Sequence, residues 1–127
     1  MAKTGLTLLL ALAACAPLSV PTTPPEEGEY RARGQEPGWL LIITSGWAHK
    51  LVYEGDYGQT RIAVTTLPPM IMEGRRIYSE GRLKVEIIPG RCNDAMSGHG
   101  YADQVAIVAD EQTVRGCGGA RRPDWDN

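Results

Sequence analysis

The sequence has little of what most catalytic chemistry draws on. It holds two histidines and three cysteines among 127 residues. No glycine-rich phosphate loop follows a strand-like run, and no Cys-x-x-Cys or similar close pairing marks a metal site. Neither a cofactor nor a metal is called for. Charge of one sign is also scarce, with 13 basic residues against 15 acidic ones mixed along the chain. The lack of a basic stripe argues against nucleic acid as a partner, and no long acidic block suggests a disordered tail. No ten-residue window carries a convincing helical period free of Gly and Pro, and no internal repeat is evident.

What is present starts with an address. Met1-Ala2-Lys3 is a short basic start, and Leu6 to Ala14 is apolar apart from Thr7. That run is too short for a bilayer span, which takes about 20 residues, and it suits the core of a signal peptide. It ends Leu12-Ala13-Ala14-Cys15, which resembles the lipobox of bacterial lipoproteins. The resemblance implies that residues 1–14 are removed and that Cys15 carries a thioether-linked diacylglycerol, usually with an N-acyl chain. Several acyl chains anchor stably where one is marginal, each buried methylene adding about 0.8 kcal/mol. Ala16 stands where an Asp would retain such a protein at the inner membrane. By the same resemblance the protein belongs to the cell envelope, at the periplasmic face of the outer membrane.

Residues 15–29 read as a tether. They contain Pro17, Pro21, Pro24 and Pro25 with Thr22, Thr23, Glu26 and Glu27, and nothing in them can bury an apolar face. An extended, polyproline-like segment from Ala16 to Gly28 reaches about 40 Å. With Lys3 gone, 12 basic residues remain against 15 acidic ones. What is left is one domain, small enough for its core alone to be marginal.

From residue 30 to 119 the chain breaks into short apolar runs between turn residues. Arg61 to Thr65 and Leu83 to Ile87 alternate, with Ile62, Val64, Leu83, Val85 and Ile87 on one face. Period-two alternation predicts half-buried strands. Trp39–Thr44, Lys50–Tyr53, Arg76–Tyr78, Gln104–Val108 and Thr113–Gly116 read as five more. Gly55-Asp56-Tyr57-Gly58, Pro68-Pro69, Glu73-Gly74, Glu80-Gly81 and Asp110-Glu111 supply the turns. The pattern predicts an all-β domain: a small antiparallel barrel or sandwich of about seven short strands. The polar tail, residues 120–127, reads as loose, with Trp125 able to dock back.

Two cysteines remain once Cys15 is assigned to lipid. In an exported chain Cys92 and Cys117 are expected to form a disulfide. Closing such a loop contributes about 3.5 kcal/mol in the chain-entropy model. The rival arrangement, a thiolate metal site with His99 and Asp94, lacks the usual ligand spacing. The stretch between the cysteines gathers Asn93, Asp94, Ser97, His99 and Tyr101. Ser97 as nucleophile, His99 as base and Asp94 as orienter would make a hydrolase, but Gly98 and Gly100 make a poor platform for a triad. Turn chemistry and loop-mediated binding are the other readings.

Gly34-Gln35-Glu36-Pro37-Gly38-Trp39, Cys92-Asn93-Asp94-Ala95-Met96-Ser97 and Arg115-Gly116-Cys117-Gly118 resemble three motifs of a group of uncharacterised bacterial lipoproteins and predicted membrane proteins. In that group they read G-x-E-P-x-W, C-x-D-G-M-S and, near the end, G-C. Ala95 replaces a glycine of the pattern, and Gly38 stands where an aromatic is common. The resemblance implies a periplasmic β-domain. Trp39 reads as a core anchor, and Glu36 as a cap or an ion-pair partner of Arg91 or Arg115. Ser97-Gly98-His99-Gly100-Tyr101 is also similar to the Ser-Gly-x-x-Tyr loop with which small lipid-anchored barrels inhibit c-type lysozyme. The expectation is a non-catalytic binding module that uses Glu36, Trp39, Asn93, Asp94, Ser97, His99 and Tyr101 on an envelope protein, a glycan or a lysozyme. A hydrolase and a structural envelope component are the other classes.

Overall fold

A computed structural model describes residues 28–127. The leading segment, Cys15 and nearly all of the tether lie outside the described residues. The domain is all-β, as the alternation predicts, but it has nine strands: β1 (Glu29–Gly34), β2 (Trp39–Thr44), β3 (His49–Gly55), β4 (Thr60–Thr66), β5 (Met70–Met72), β6 (Arg75–Glu80), β7 (Leu83–Asn93), β8 (Gly100–Ala109) and β9 (Gln112–Arg121). Seven coincide with the predicted runs. The other two, β1 and β5, carry little of the signal: β1 buries only the small Ala32 and Gly34, and Met-Ile-Met does not alternate.

The strands form one antiparallel sheet in the order β4-β3-β2-β1-β9-β8-β7-β6-β5. It curls into a half-barrel. The first strand pairs with the last, Ala32 opposite Gly118 and Arg33 opposite Cys117, so the two meanders join at the middle of the sheet. Eight successive antiparallel steps separate β4 from β5, so these edge strands run in the same direction. Leu67-Pro68-Pro69 carries the chain from one edge to the other across the seam. The two prolines offer no N–H to a stray strand, and β5 is three residues long, both of which blunt the open edges.

The concave face holds the core. Leu41, Ile43, Leu51, Leu83, Val85, Ile87 and Ile107 are all but inaccessible to water. They come from alternate positions of β2, β3, β7 and β8, as a sheet with one buried face requires. The core becomes polar where β1 begins. Tyr30 donates its hydroxyl to Asp103 Oδ2 at 2.9 Å, and Arg76 lies 4.9 Å from the Tyr30 ring centre and 3.5 Å from that carboxylate. Burial, then the Asp103 carboxylate, pushes the Tyr30 phenol far above its ordinary range. Across the seam, Tyr78 Oη and His49 Nδ1 are 2.8 Å apart, a side-chain tie between the two halves of the sheet.

The disulfide joins Cys92 to Cys117, with Cα atoms 5.5 Å apart. It links β7 to β9 across the intervening β8. Both flanking ladders break register there, between Pro89 and Cys92 and between Tyr101 and Asp103. A bulged strand bends sharply, and the end of β7 turns back to reach β9.

The tail corrects the expectation of looseness. β9 continues to Arg121, and a single 3-10 turn follows over Pro123–Trp125. Arg121 holds Asp126 through two bonds of 2.6 and 2.7 Å. The Trp125 carbonyl accepts from Arg91 and from Asn93. A polar octapeptide has no apolar stripe to announce docking, so these bonds are invisible to a hydropathy reading.

Candidate functional site

The site is assembled from the β1–β2 turn, the loop between β7 and β8, and the surface of β9. Trp39 sets the turn. It is buried, tilted against Tyr53 at 6.3 Å between ring centres, and its Nε1 donates to the Arg115 carbonyl at 3.3 Å. The indole lies where side chains at Gly34 and Gly116 would otherwise be. A Cβ on Gly34 would fall 2.0 Å from Trp39 Nε1, and one on Gly116 would fall 2.0 Å from the Arg33 carbonyl oxygen. The glycines beside Cys117 are therefore requirements of strand contact as well as of turns. Glu36 sits in the turn with φ of +50° before a cis bond to Pro37. Its side chain forms no ion pair among the described residues, since Arg91 is engaged with Asn93, Trp125 and Asn127.

Asp94 organises the second part. It is the one charged side chain buried among the described residues. Its Oδ2 accepts from the Ser97 amide at 3.0 Å and the Ser97 hydroxyl at 2.8 Å, and its Oδ1 takes a longer bond of 3.4 Å from Gln35. Burial alone would push this carboxyl up. The Ser97 amide and hydroxyl, then Gln35 and the Met96 amide, outweigh burial and hold it below the usual carboxylate range. The Ser97 hydroxyl also accepts from the His99 amide at 3.2 Å. It therefore bonds to a carboxylate and a backbone amide, with no imidazole bonded to it, and the His99 side chain faces solvent.

The remaining predicted residues are structural ties. Asn93 donates to the Gly98 and Trp125 carbonyls. Tyr101 is buried, with the guanidinium carbons of Arg33 and Arg121 at 5.5 and 5.8 Å from its ring centre. Gly100 donates its amide to Asp126 Oδ1 at 2.8 Å. The Arg121 guanidinium, then the Gly100 amide, hold the Asp126 carboxyl down to about 2.

Between these parts lies a cleft of about 290 Å³. Gly34 and Gln35 form one wall, Asn93, Asp94 and Ala95 the opposite one, and the disulfide with Ile88, Gln104, Ala106 and Arg115 the floor. The structure thus brings the two predicted surfaces together, but through Gln35 rather than Glu36. Of the predicted binding residues only Asn93 and Asp94 line this cleft, beside the predicted disulfide. Gln104 falls in no motif, and Gln35 and Arg115 stand inside two of them without being read as binding residues; each lies on a polar strand face or in a turn, where pattern carries no message. Arg115 is exposed and has no ion pair among the described residues, and with Gln35, Glu36, Pro37, Thr113 and Val114 it also lines an open hollow next to the cleft. No group of His, Cys, Asp and Glu among the described residues is arranged to hold a metal. No family model matches the chain, and neither a curated protein nor a solved structure does.

Proposed function

We propose that this protein is a lipid-anchored component of the bacterial cell envelope whose β-domain is a non-catalytic binding module. The lipobox-like Leu12-Ala13-Ala14-Cys15 supports the anchor, with the outer membrane's periplasmic face as its address. One observation carries the binding role. The cleft between the Gln35 turn and the Asn93–Gly100 loop is a braced concavity, walled by an internally satisfied Asp94 and floored by a disulfide. Rigid, satisfied walls favour recognition because little ordering is left to be lost on binding. Exposed Arg115 and the Gln35 amide give it donors, and Ala95, Ala106 and Ile88 give it apolar contact. That mixture suits a peptide or glycan segment with an acceptor group. A nucleophile paired with a base is not among its features.

Cross-linking in intact cells with the full lipoprotein, followed by capture, tests this. The native protein should retain a partner that Arg115→Glu loses, while Lys84→Glu, near the start of β7 and outside the cleft lining, retains it. An identical captured set from all three proteins would refute the cleft as the binding surface.

A further inference from the structure

One end of the half-barrel gathers large apolar side chains that none of the described residues covers. Trp47, at the tip of the β2–β3 turn, is fully exposed, and Leu67 is 78% exposed. The pairing of His49 with Thr66 sets their two segments side by side. Met70, Ile71 and Met72 are each more than half exposed. Consecutive residues of a strand point to opposite faces, so β5 stands clear of the body on both sides. The strand directions put the β5–β6 turn at the same end as the β2–β3 turn. Glu29, where the described strands begin, lies at that end too, opposite Thr44, which is opposite Lys50.

We infer that this end is a membrane-docking surface, and that Trp47, Leu67, Met70, Ile71 and Met72 insert into the interfacial layer of the bilayer that holds the lipid anchor. This rests on the anchoring reading above. Three observations select lipid as the occupant. First, the chain enters the domain at this end, and 13 residues separate Cys15 from Glu29. They reach about 40 Å when extended, so an anchored chain keeps these side chains at high effective concentration beside the bilayer. Second, the apolar groups sit on two protruding tips, and the exposed strand is three residues long with Pro68 and Pro69 before it. That gives little backbone edge to a second copy, whereas a fluid interface needs no register. Third, an indole with short aliphatic and thioether neighbours matches the interfacial preference of Trp and the depth of a shallow insertion. The nearby charges, Lys50, Glu73 and the Arg75–Glu86 pair, are of mixed sign, so docking is expected to be insensitive to salt. The cleft over the disulfide is a separate surface of the sheet and remains open to a partner.

Trp47 is its own probe, because Trp39 is buried and Trp125 half-buried. The purified full lipoprotein is reconstituted in vesicles of phosphatidylethanolamine and phosphatidylglycerol with brominated acyl chains, and the mass of its Cys15 peptide is measured. The expected result is tryptophan quenching that persists in high salt and is lost in Trp47→Tyr. Leu67→Ser with Ile71→Ser should lower the quenching as well, with far-UV circular dichroism unchanged. A lipid-free Cys15 would sink the anchor alone; the same vesicles in excess then test docking directly, again by quenching that depends on Trp47. Absent quenching in the folded protein, or equal quenching with and without Trp47, would overturn the proposal. So would a concentration-dependent dimer that Ile71→Lys abolishes while vesicles leave Trp47 unquenched, which would give the surface to a second copy.

Discussion

At the scale of single residues, the fold depends on side chains that are missing. Gly34 and Gly116 leave the space into which Trp39 drops, and Trp39 then closes that end of the core. A methyl group on Gly116 would meet the Arg33 carbonyl at 2.0 Å and the Trp39 ring at 2.7 Å. The first contact is backbone in the pairing of β1 with β9, so neither strand can give without loss of the ladder. Gly116→Ala is expected to cost about 3 kcal/mol, which lowers the melting temperature of a domain this size by about 15 °C. Gly46→Ala is the control: its nearest atom would be 3.4 Å away and its φ is not positive, and a change within about 0.5 kcal/mol is expected. Thermal melts of both variants decide it. Equal melting temperatures would mean that the contact of β1 with β9 is looser than described.

At the scale of elements, legibility followed the burial pattern. The seven strands read from the sequence each bury a face, and β2 was legible to the residue because Trp39, Leu41 and Ile43 alternate with half-buried neighbours. β1 was missed because its inward positions are small to make room for Trp39, and β5 because it buries nothing. The Asn93–Tyr101 loop was singled out for its polar density, but most of its groups are spent on the loop and tail themselves. The cleft was out of reach of sequence: its walls and floor come from segments about 10 to 80 residues apart, and its key donors lie on polar faces. The tail was half legible: Trp125 could be read as docking back, but the bonds to its carbonyl and to the Asp126 carboxylate that hold the tail leave no hydropathy signal.

That docking makes the tail a titratable clamp. Asp126 takes the Arg121 guanidinium and the Gly100 amide, and its carboxyl is held at about 2 in the folded protein, against about 3.9 for a free side chain. A depressed carboxyl contributes stability that is present above pH 4 and is lost as the pH falls through 2. Asp94, also depressed, acts in the same direction on the loop. The Gly100 amide is therefore expected to lose hydrogen-exchange protection between pH 4 and 2, ahead of the amides in the middle of β8. Asp126→Asn should show the weakened protection already at neutral pH. Uniform protection along β8 at every pH would show that the tail is not a clamp.

At the scale of the whole molecule, the half-barrel joins the chain's first and last strands at its centre and leaves its edges at β4 and β5. Native pairing of β1 with β9 must close a loop of about 80 residues, and such non-local contacts are slow to form and costly in entropy. The Cys92–Cys117 bond shortens that problem at one point. With a sequence separation of 25, it contributes about 3.5 kcal/mol by restricting the unfolded chain, a large share of the total for a domain of this size. Its place, at the break in two ladders and under the loop of the cleft, also separates two consequences. Loss of the bond should leave the strands around Leu41, Ile43, Val85 and Ile107 paired, because their hydrogen bonds do not involve it. It should free the end of β7, and with it Asp94, the cleft wall and the docked tail. Replacing both cysteines with alanine is thus expected to lower the urea midpoint by about 2 M, for a slope near 1.5 kcal/mol per molar, with the far-UV spectrum preserved. Partner capture through Arg115 should weaken in the same variant even where the domain is fully folded. A variant that keeps full capture with a lowered midpoint would show that the bond serves stability alone, and that the cleft is held by Asp94 and the tail.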